Sequence, residues 1–373
     1  MQTHNHKVYL ITSNAESGTI ETLPSRDHTI LISNEELTGT DLYFKVDQKV
    51  CITSETSIDI ISSRIDVNRA NAIQKLKDKF EFREILSKIY KNYHYTRLKA
   101  EDIQNLRVSE KMIIKPSKGC FGTAVRVIEP YTDFKKLSID LINELSKNST
   151  VFSESVLSKD EFITEQFIEG EEYAVDMFYN AKGEPCIVNI YHHPMPNNKA
   201  YLHMIYYSSK EVFDTIYDKA KTFFIELNKI LEVKNFAMHS EFKLNQQDIV
   251  PIEINAMRFG GMGLGNLIYH TLNINPYAYY LNDVEPDWQN IWKGNENNIF
   301  TFFIAYNSKN KSVTKYKPNR EKLKQQFTQI LLEHDFDHKK QLAFSIYCLR
   351  ETEENITKLL AIEFDDFFES NNI

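Results

Sequence analysis

A chain of 373 residues with an apolar share of 42% is long enough for two or three lobes with contiguous cores, and too apolar to be disordered. Its net charge of −8 argues against nucleic acid as the main partner. Four cysteines (Cys51, Cys120, Cys186, Cys348) show neither metal-type spacing nor a disulfide framework, and no run approaches the roughly 20 apolar residues of a membrane helix. The expectation is a reduced, cytoplasmic protein without a membrane partner, and the opening MQTHNHKVYLITSN predicts no secretory signal.

In chain order, Val8–Ile11 and Thr29–Ile32 are β-rich runs of a small α/β lobe, with Leu42–Val46 and Val50–Thr53 as further strand candidates. From Val67 to Tyr90 the apolar residues fall on one helical stripe, which predicts a single long helix. A strand (KMIIKPS), a small-residue turn (KGCFGT) and a second strand (AVRVIE) follow, then a helix from Asp133 to Ser146. FITEQFIEGEEYAVDMFYN reads as two strands joined at Glu169–Gly170, and EPCIVNIYHH as another. Pro194–Lys199 is a turn-rich loop, and Lys210–Leu231 a helix. NFAMHSEFKL and IVPIEINA read as a hairpin around NQQD. The last stretch reads as strand IFTFFIAY, helix Arg320–Glu333, strand LAFSIYCL and helix Glu351–Leu360, a compact appended α+β unit.

The hairpin carries the richest chemistry. Residues two apart on a strand share a face, so Glu253 and Asn255 point together, as do Ala237, His239, Glu241 and Lys243. A lone Glu-x-Asn is more often a solvated outer face. With Glu241 opposite it, the pair becomes an all-oxygen site suited to Mg²⁺, because two adjacent carboxylates stay ionised only beside a cation. Same-face pairing of Glu241 with Glu253 needs an odd-length turn or a bulge. IIKPSKGCFGTAV places Lys115 at the end of an apolar strand with a flexible turn after it, where lysine and the free N–H groups of Gly119–Thr123 can cradle phosphate. It is neither a Walker loop nor a dinucleotide fingerprint. In ITEQFIEGEE, Glu165, Gln166, Phe167 and Ile168 offer an apolar wall and hinge for a base, and Glu172 an acceptor for ribose hydroxyls.

Taken in order, these segments resemble the ATP-grasp superfamily, over roughly residues 71–280. DKFEFREIL resembles its D-K-x-x-x-R helix, IIKPSKGCFGTAV its lysine–glycine segment, EQFIEGEE its hinge, and HSEF with PIEIN its two metal-ligand strands. The resemblance implies an α/β (α+β) fold with a pre-ATP-grasp lobe (1–70), a nucleotide-binding and catalytic domain (71–285) and a C-terminal α+β extension (295–373). It implies ATP at Lys79, Lys115, Gly119, Thr123, Glu165, Gln166, Phe167, Ile168 and Glu172. Mg²⁺, or Mn²⁺ in its place, then lies at Glu241, Glu253 and Asn255. Two departures stand out. Met257 intervenes before Arg258, which on a regular strand would reverse that arginine's face unless the chain bends after Asn255. In the turn, Phe121, Gly122 and Ala124 stand where the family has glycine, serine and glycine.

The chemistry so implied is a carboxylate–amine ligation. ATP phosphorylates a carboxylate, and an amine displaces phosphate from the acylphosphate. Arg258 and Gly261 are the catalytic candidates, the guanidinium clamping the carboxylate or its adduct and the N–H groups of Gly260–Gly261 approaching the oxyanion. Gly119–Thr123 and Pro194–Lys199 are candidate lids. His192 or His193 is a candidate base, or else a pair in a surface turn. The partners are small-molecule carboxylates and amines of amino-acid or peptide-like type, with a homodimer open. The alternatives are a small-molecule kinase on the same nucleotide fold and an ATP-binding module without turnover.

Overall fold

The computed structural model describes residues 7–13, 26–91, 93–119, 122–148, 157–196, 204–246 and 248–371. Strands β1 (Val8–Thr12), β2 (Thr29–Ser33) and β3 (Val50–Ile52) form a parallel sheet in the order β2-β1-β3. Every residue of β1 is buried, as a central parallel strand covered on both faces requires. Leu42–Val46 is not a strand. It makes one bridge, Phe44 to Ile65, because the carbonyls of Phe44 and Lys45 instead accept from the buried guanidinium of Arg69, at 3.1 and 2.8 Å.

The long helix expected over Val67–Tyr90 is two helices, Val67–Lys77 and Lys79–Leu86. Asp78 between them is extended (φ −78°, ψ 111°) and its carboxylate caps the second, accepting from Phe80 and Glu81 N–H at 2.9 and 3.1 Å. The break turns Lys79 N–H out of the helix, to Ser117 O at 2.7 Å.

β4 (Tyr95–Lys99), β5 (Met112–Pro116), β6 (Arg126–Ile128) and β7 (Glu161–Gln166) make an antiparallel sheet in the order β4-β7-β5-β6. The Phe134–Asn148 helix closes its core through Phe134, Leu141 and Leu145.

The largest sheet joins β8 (Glu171–Tyr179), β9 (Pro185–His193), β10 (Ile205–Ser208), β11 (Phe236–Asn245), β12 (Asp248–Ala256) and β13 (Ile299–Tyr306). β14 (Tyr316–Pro318) pairs with β17 (Phe368–Ser370), while β15 (Gln329–Asp335) and β16 (Ala343–Glu351) complete the large sheet. Its order is β12-β11-β8-β9-β10-β13-β16-β15, antiparallel throughout. Period-two alternation on β8 sends Val175, Met177 and Tyr179 into the core under the Lys210–Leu231 helix. Glu172, Ala174 and Asp176 face the other way.

The helix expected over Arg320–Glu333 ends at Lys324, and the Ile330-Leu331-Leu332 run pairs as an edge strand with β16. Among residues 295–371, β13, β15 and β16 continue the central sheet, while β14 and β17 pair apart from it. Among the described residues no helix is long and apolar enough to cross a membrane.

Candidate functional site

One cleft of about 920 Å³ opens between the four-stranded sheet and the exposed face of the large sheet. Each residue singled out for ATP or Mg²⁺ lines it, and so do Arg258 and Gly261. The hairpin reaches this arrangement by a bulge. From Asn245↔Asp248 to Phe242↔Pro251 the register is that of a two-residue turn, then it shifts so that Glu241 pairs with Glu253. Ile252 is the extra residue, and without it every side chain beyond would be on the wrong face. His239 pairs with Asn255, which brings two carboxylates and an amide oxygen to one surface.

The two glutamates differ in their surroundings. Burial, with Glu253 and Glu172 nearby, pushes the Glu241 carboxyl well above its ordinary range. Burial opposes ionisation of Glu253 too, but Lys79, Lys77 and Lys115 outweigh it and hold that carboxyl below the usual value. Lys79 Nζ lies 3.4 Å from Glu253 Oε1. A carboxyl whose ionisation is opposed by burial and by a neighbouring carboxylate is favoured in its charged form when a cation joins the pair, so the donor set fits a divalent ion. Among the described residues no trio of His, Cys, Asp and Glu gathers to hold a metal by itself. Two carboxylates and an amide leave positions for water and phosphate oxygens, as Mg²⁺ prefers.

Lys115 is buried against Glu165, which also accepts from Arg83 Nε at 2.7 Å. Burial would raise the Glu165 carboxyl, but Arg83 and Lys115 hold it at about 2. Glu165 therefore acts through its side chain as an anchor for both cations. Arg83, fixed further by Pro251 O at 2.6 Å and stacked over Tyr93 at 4.4 Å, was not among the expected site residues, although it is the last letter of the D-K-x-x-x-R segment. Gln166 and Ile168 line the same wall, and Lys111 Nζ stands 3.8 Å over the Phe167 ring. Glu172 is buried, accepting from His193 Nδ1 at 2.7 Å, with Lys243 Nζ 3.4 Å from its other oxygen.

In the glycine turn, Gly119 O accepts from Lys77 and Lys79 Nζ at 3.3 and 3.2 Å, and Thr123 reaches the cleft. Cys120 and Phe121, within the candidate lid, lie outside the described residues, as do 197–203 with Tyr201. Ala124 sits at φ 55°, the left-handed conformation for which the family's glycine is suited.

The question posed by Met257 has a structural answer. Met257 adopts φ 61° with its side chain buried, and its carbonyl accepts from Ile52 N–H at 2.8 Å. This left-handed residue supplies the bend after Asn255, and Arg258 enters the cleft. There Arg258 Nε meets Glu55 Oε1 at 3.1 Å, while Lys77 Nζ meets Glu55 Oε2 at 2.6 Å. Burial works against the Glu55 charge, but Lys77 and Arg258 hold its carboxyl at about 2. A Cβ at Gly261 would come within 3.1 Å of Arg258 Nη1, so glycine there gives the guanidinium room to lie flat.

One expectation is corrected. The Gly260 N–H does not point to an oxyanion, for it donates to Asp176 Oδ1 at 2.8 Å. Asp176, wholly buried, also accepts from His239 Nδ1 and the Tyr191 hydroxyl, both at 2.7 Å. It ties three elements together and turns His239 Nε2 toward Glu241 Oε1, at 3.9 Å. His192 and His193 do not line the cleft. His193 is a buried partner of Glu172 stacked on Tyr206, and His192 bonds Tyr207 and Glu171 at 2.6 and 3.0 Å.

The fold that assembles this cleft resembles known proteins. A search of curated proteins gave no significant match. Among solved structures, the L-amino acid ligase from Bacillus licheniformis superposes over 100% of both chains with a TM-score of 0.67 at 14% identity. Phosphoribosylamine–glycine ligase from Thermotoga maritima follows at a TM-score of 0.60 and 11% identity, covering 98% of this chain and 97% of that one. The biotin carboxylase–β-γ-ATP complex from Campylobacter jejuni gives 0.59 at 15% identity, over 98% and 92%. Residues 108–266, from the approach to β5 to just past the arginine–glycine segment, match the profile of the ATP-grasp domain. Glu165–Ile168, the glycine turn and the hairpin of Glu241 and Glu253 thus fall inside one matched span, and the chain carries an ATP-grasp domain within an ATP-grasp fold.

Proposed function

We propose that this chain is an ATP-dependent ligase that activates a carboxylate as an acylphosphate and joins it to an amine, on amino-acid or peptide-like substrates. The observation that carries this reading is the convergence of Glu241, Glu253, Asn255, Lys79, Lys115 and Arg258 on one cleft. Glu241, Glu253 and Asn255 would hold Mg²⁺, which would supply charge neutralisation for the transferring phosphoryl group. Lys79 and Lys115 supply fixed positive charge for the phosphates, and Glu165 and Arg83 keep Lys115 in place. The hinge Glu165–Ile168 offers an apolar wall to the base and Glu172 an acceptor to the ribose. Arg258, oriented by Glu55, pairs with the substrate carboxylate. A carboxylate oxygen attacks the γ-phosphorus and ADP leaves. The amine nitrogen then attacks the acyl carbon, phosphate leaves, and the nitrogen loses a proton.

The test is ADP release from ATP and Mg²⁺ over a panel of amino acids, with and without a second amine, with product masses followed. Amine-dependent release with a product one water lighter than its two substrates is expected. A phosphorylated substrate as stable product would instead make the chain a kinase, and ATP binding without release would make it a module without turnover.

A further inference from the structure

The two ends of the cleft differ in chemistry. Its nucleotide end and centre are ringed by charge, from Lys115 and Glu165 to Glu241, Glu253 and Arg258. Beyond Arg258 the chain crosses the sheet face, and Leu264 O accepts from the Tyr191 hydroxyl of β9 at 3.2 Å. This crossing places Met262 and Leu264 against β9 and β10. On the sheet itself Tyr206 pairs with Phe302, and Ile304 and Tyr306 follow on the same face of β13. These six residues belong to one apolar cluster. Among the described residues, those that β10 and β13 contribute to the cleft carry no charge. In the sheet order β13 is four strands from β11, about 19 Å at the usual spacing, so the β13 part of this wall lies across the chamber from the Glu241–Glu253 hairpin.

We propose that the carboxylate substrate has a large apolar or aromatic body, and that this body fills the compartment over β10 and β13. The inference rests on the ligase reading above. Phosphoryl transfer sets the acceptor oxygen between the γ-phosphate and the rest of the acid. With the phosphates held by Lys79, Lys115 and the metal hairpin, the acid's body extends away from them, past Arg258, onto the uncharged wall. A charged side chain there would be desolvated against residues of β10 and β13 that offer no charge of their own to pair with it.

Calorimetric titration of the full chain with Mg²⁺ and a non-hydrolysable ATP analogue tests this without requiring turnover. L-phenylalanine and L-leucine are expected to bind about ten-fold or more tighter than L-alanine and L-aspartate. Met262→Lys, at a half-buried position, is expected to reverse the ranking toward L-aspartate, and Phe302→Ala to weaken L-phenylalanine by about ten-fold. Thermal melts establish that each variant is folded. Equal or tighter binding of L-alanine or L-aspartate by the unaltered protein overturns the proposal, as does an unchanged ranking in a normally melting Met262→Lys. Apolar amino acids that bind as expected, yet give no ADP from ATP with any amine, support the compartment and overturn the ligase reading alone.

Discussion

Glu253 and Glu241 face each other across the hairpin, and the neighbours of each decide its charge. Glu253 looks toward Lys79, so Glu253→Gln removes a ligand charge with almost no change of shape. ADP formation is expected to fall about a hundred-fold or more while the urea midpoint stays put, and near-normal turnover in a folded variant would refute the metal assignment. Glu165 titrates with opposite consequences for the fold. Its carboxyl is lowered from 4.5 to about 2 by Arg83 and Lys115 against the pull of burial. A lowered pKa contributes stability that is complete above the unfolded value and lost as pH falls toward the folded one. At neutral pH Glu165→Gln leaves two buried cations without their anion and should destabilise by about 3–5 kcal/mol. That difference from the unaltered chain should shrink between pH 4.5 and about 2, as denaturation curves across that window will read. A difference independent of pH would show that packing, not charge, is at stake.

At the scale of elements, the break at Asp78 and the bulge at Ile252 do more for the site than any regular turn. The 3.6-residue stripe runs unbroken from Val67 to Tyr90, which is why periodicity reads one helix. The signal against it is local: Asp78 followed three residues later by Glu81, an N-cap pattern inside the stripe. Asp78→Ala removes two capping hydrogen bonds and the constraint that sets Lys79 beside Ser117. We expect a stability loss of about 1 kcal/mol together with a higher KM for ATP. A shift in stability alone would separate the cap from the site. The Ile252 bulge was legible only as a requirement, since nothing in IVPIEINA marks which residue is extra. The β15 segment misled for a different reason: Ile330-Leu331-Leu332 suits a buried helix face and an edge strand alike, and β16, with its unpaired backbone, decided between them.

Across the whole molecule, strands remote in sequence share one sheet. β13 and β16 pair beside β10, and Phe300 lies in the same core as Val175 and Phe213. A chain ending at Asn295 would leave β10 as a bare edge and open the apolar wall of the cleft to water. Such a truncation is expected to be insoluble or to lose its cooperative melt. A soluble, cooperatively melting fragment that retains ATP binding would instead mark residues 295–373 as a separable extension.

The residues proposed for ATP and the metal could be singled out from the chain because their patterns are local. A lysine closing a strand, a small-residue turn and acids two apart on a hairpin each need only a few neighbouring residues to declare themselves. What supports them is not local. Glu55 meets Arg258 across 203 positions, Arg83 meets Glu165 across 82, and Asp176 gathers His239, Tyr191 and Gly260 from three elements. No period or spacing records a contact that exists only once the sheets pack. The direction of Arg258 belongs to the same class. Met257 could be seen to disturb the register, but only the fold, by holding its carbonyl to Ile52 in a left-handed turn, brought the arginine back into the cleft.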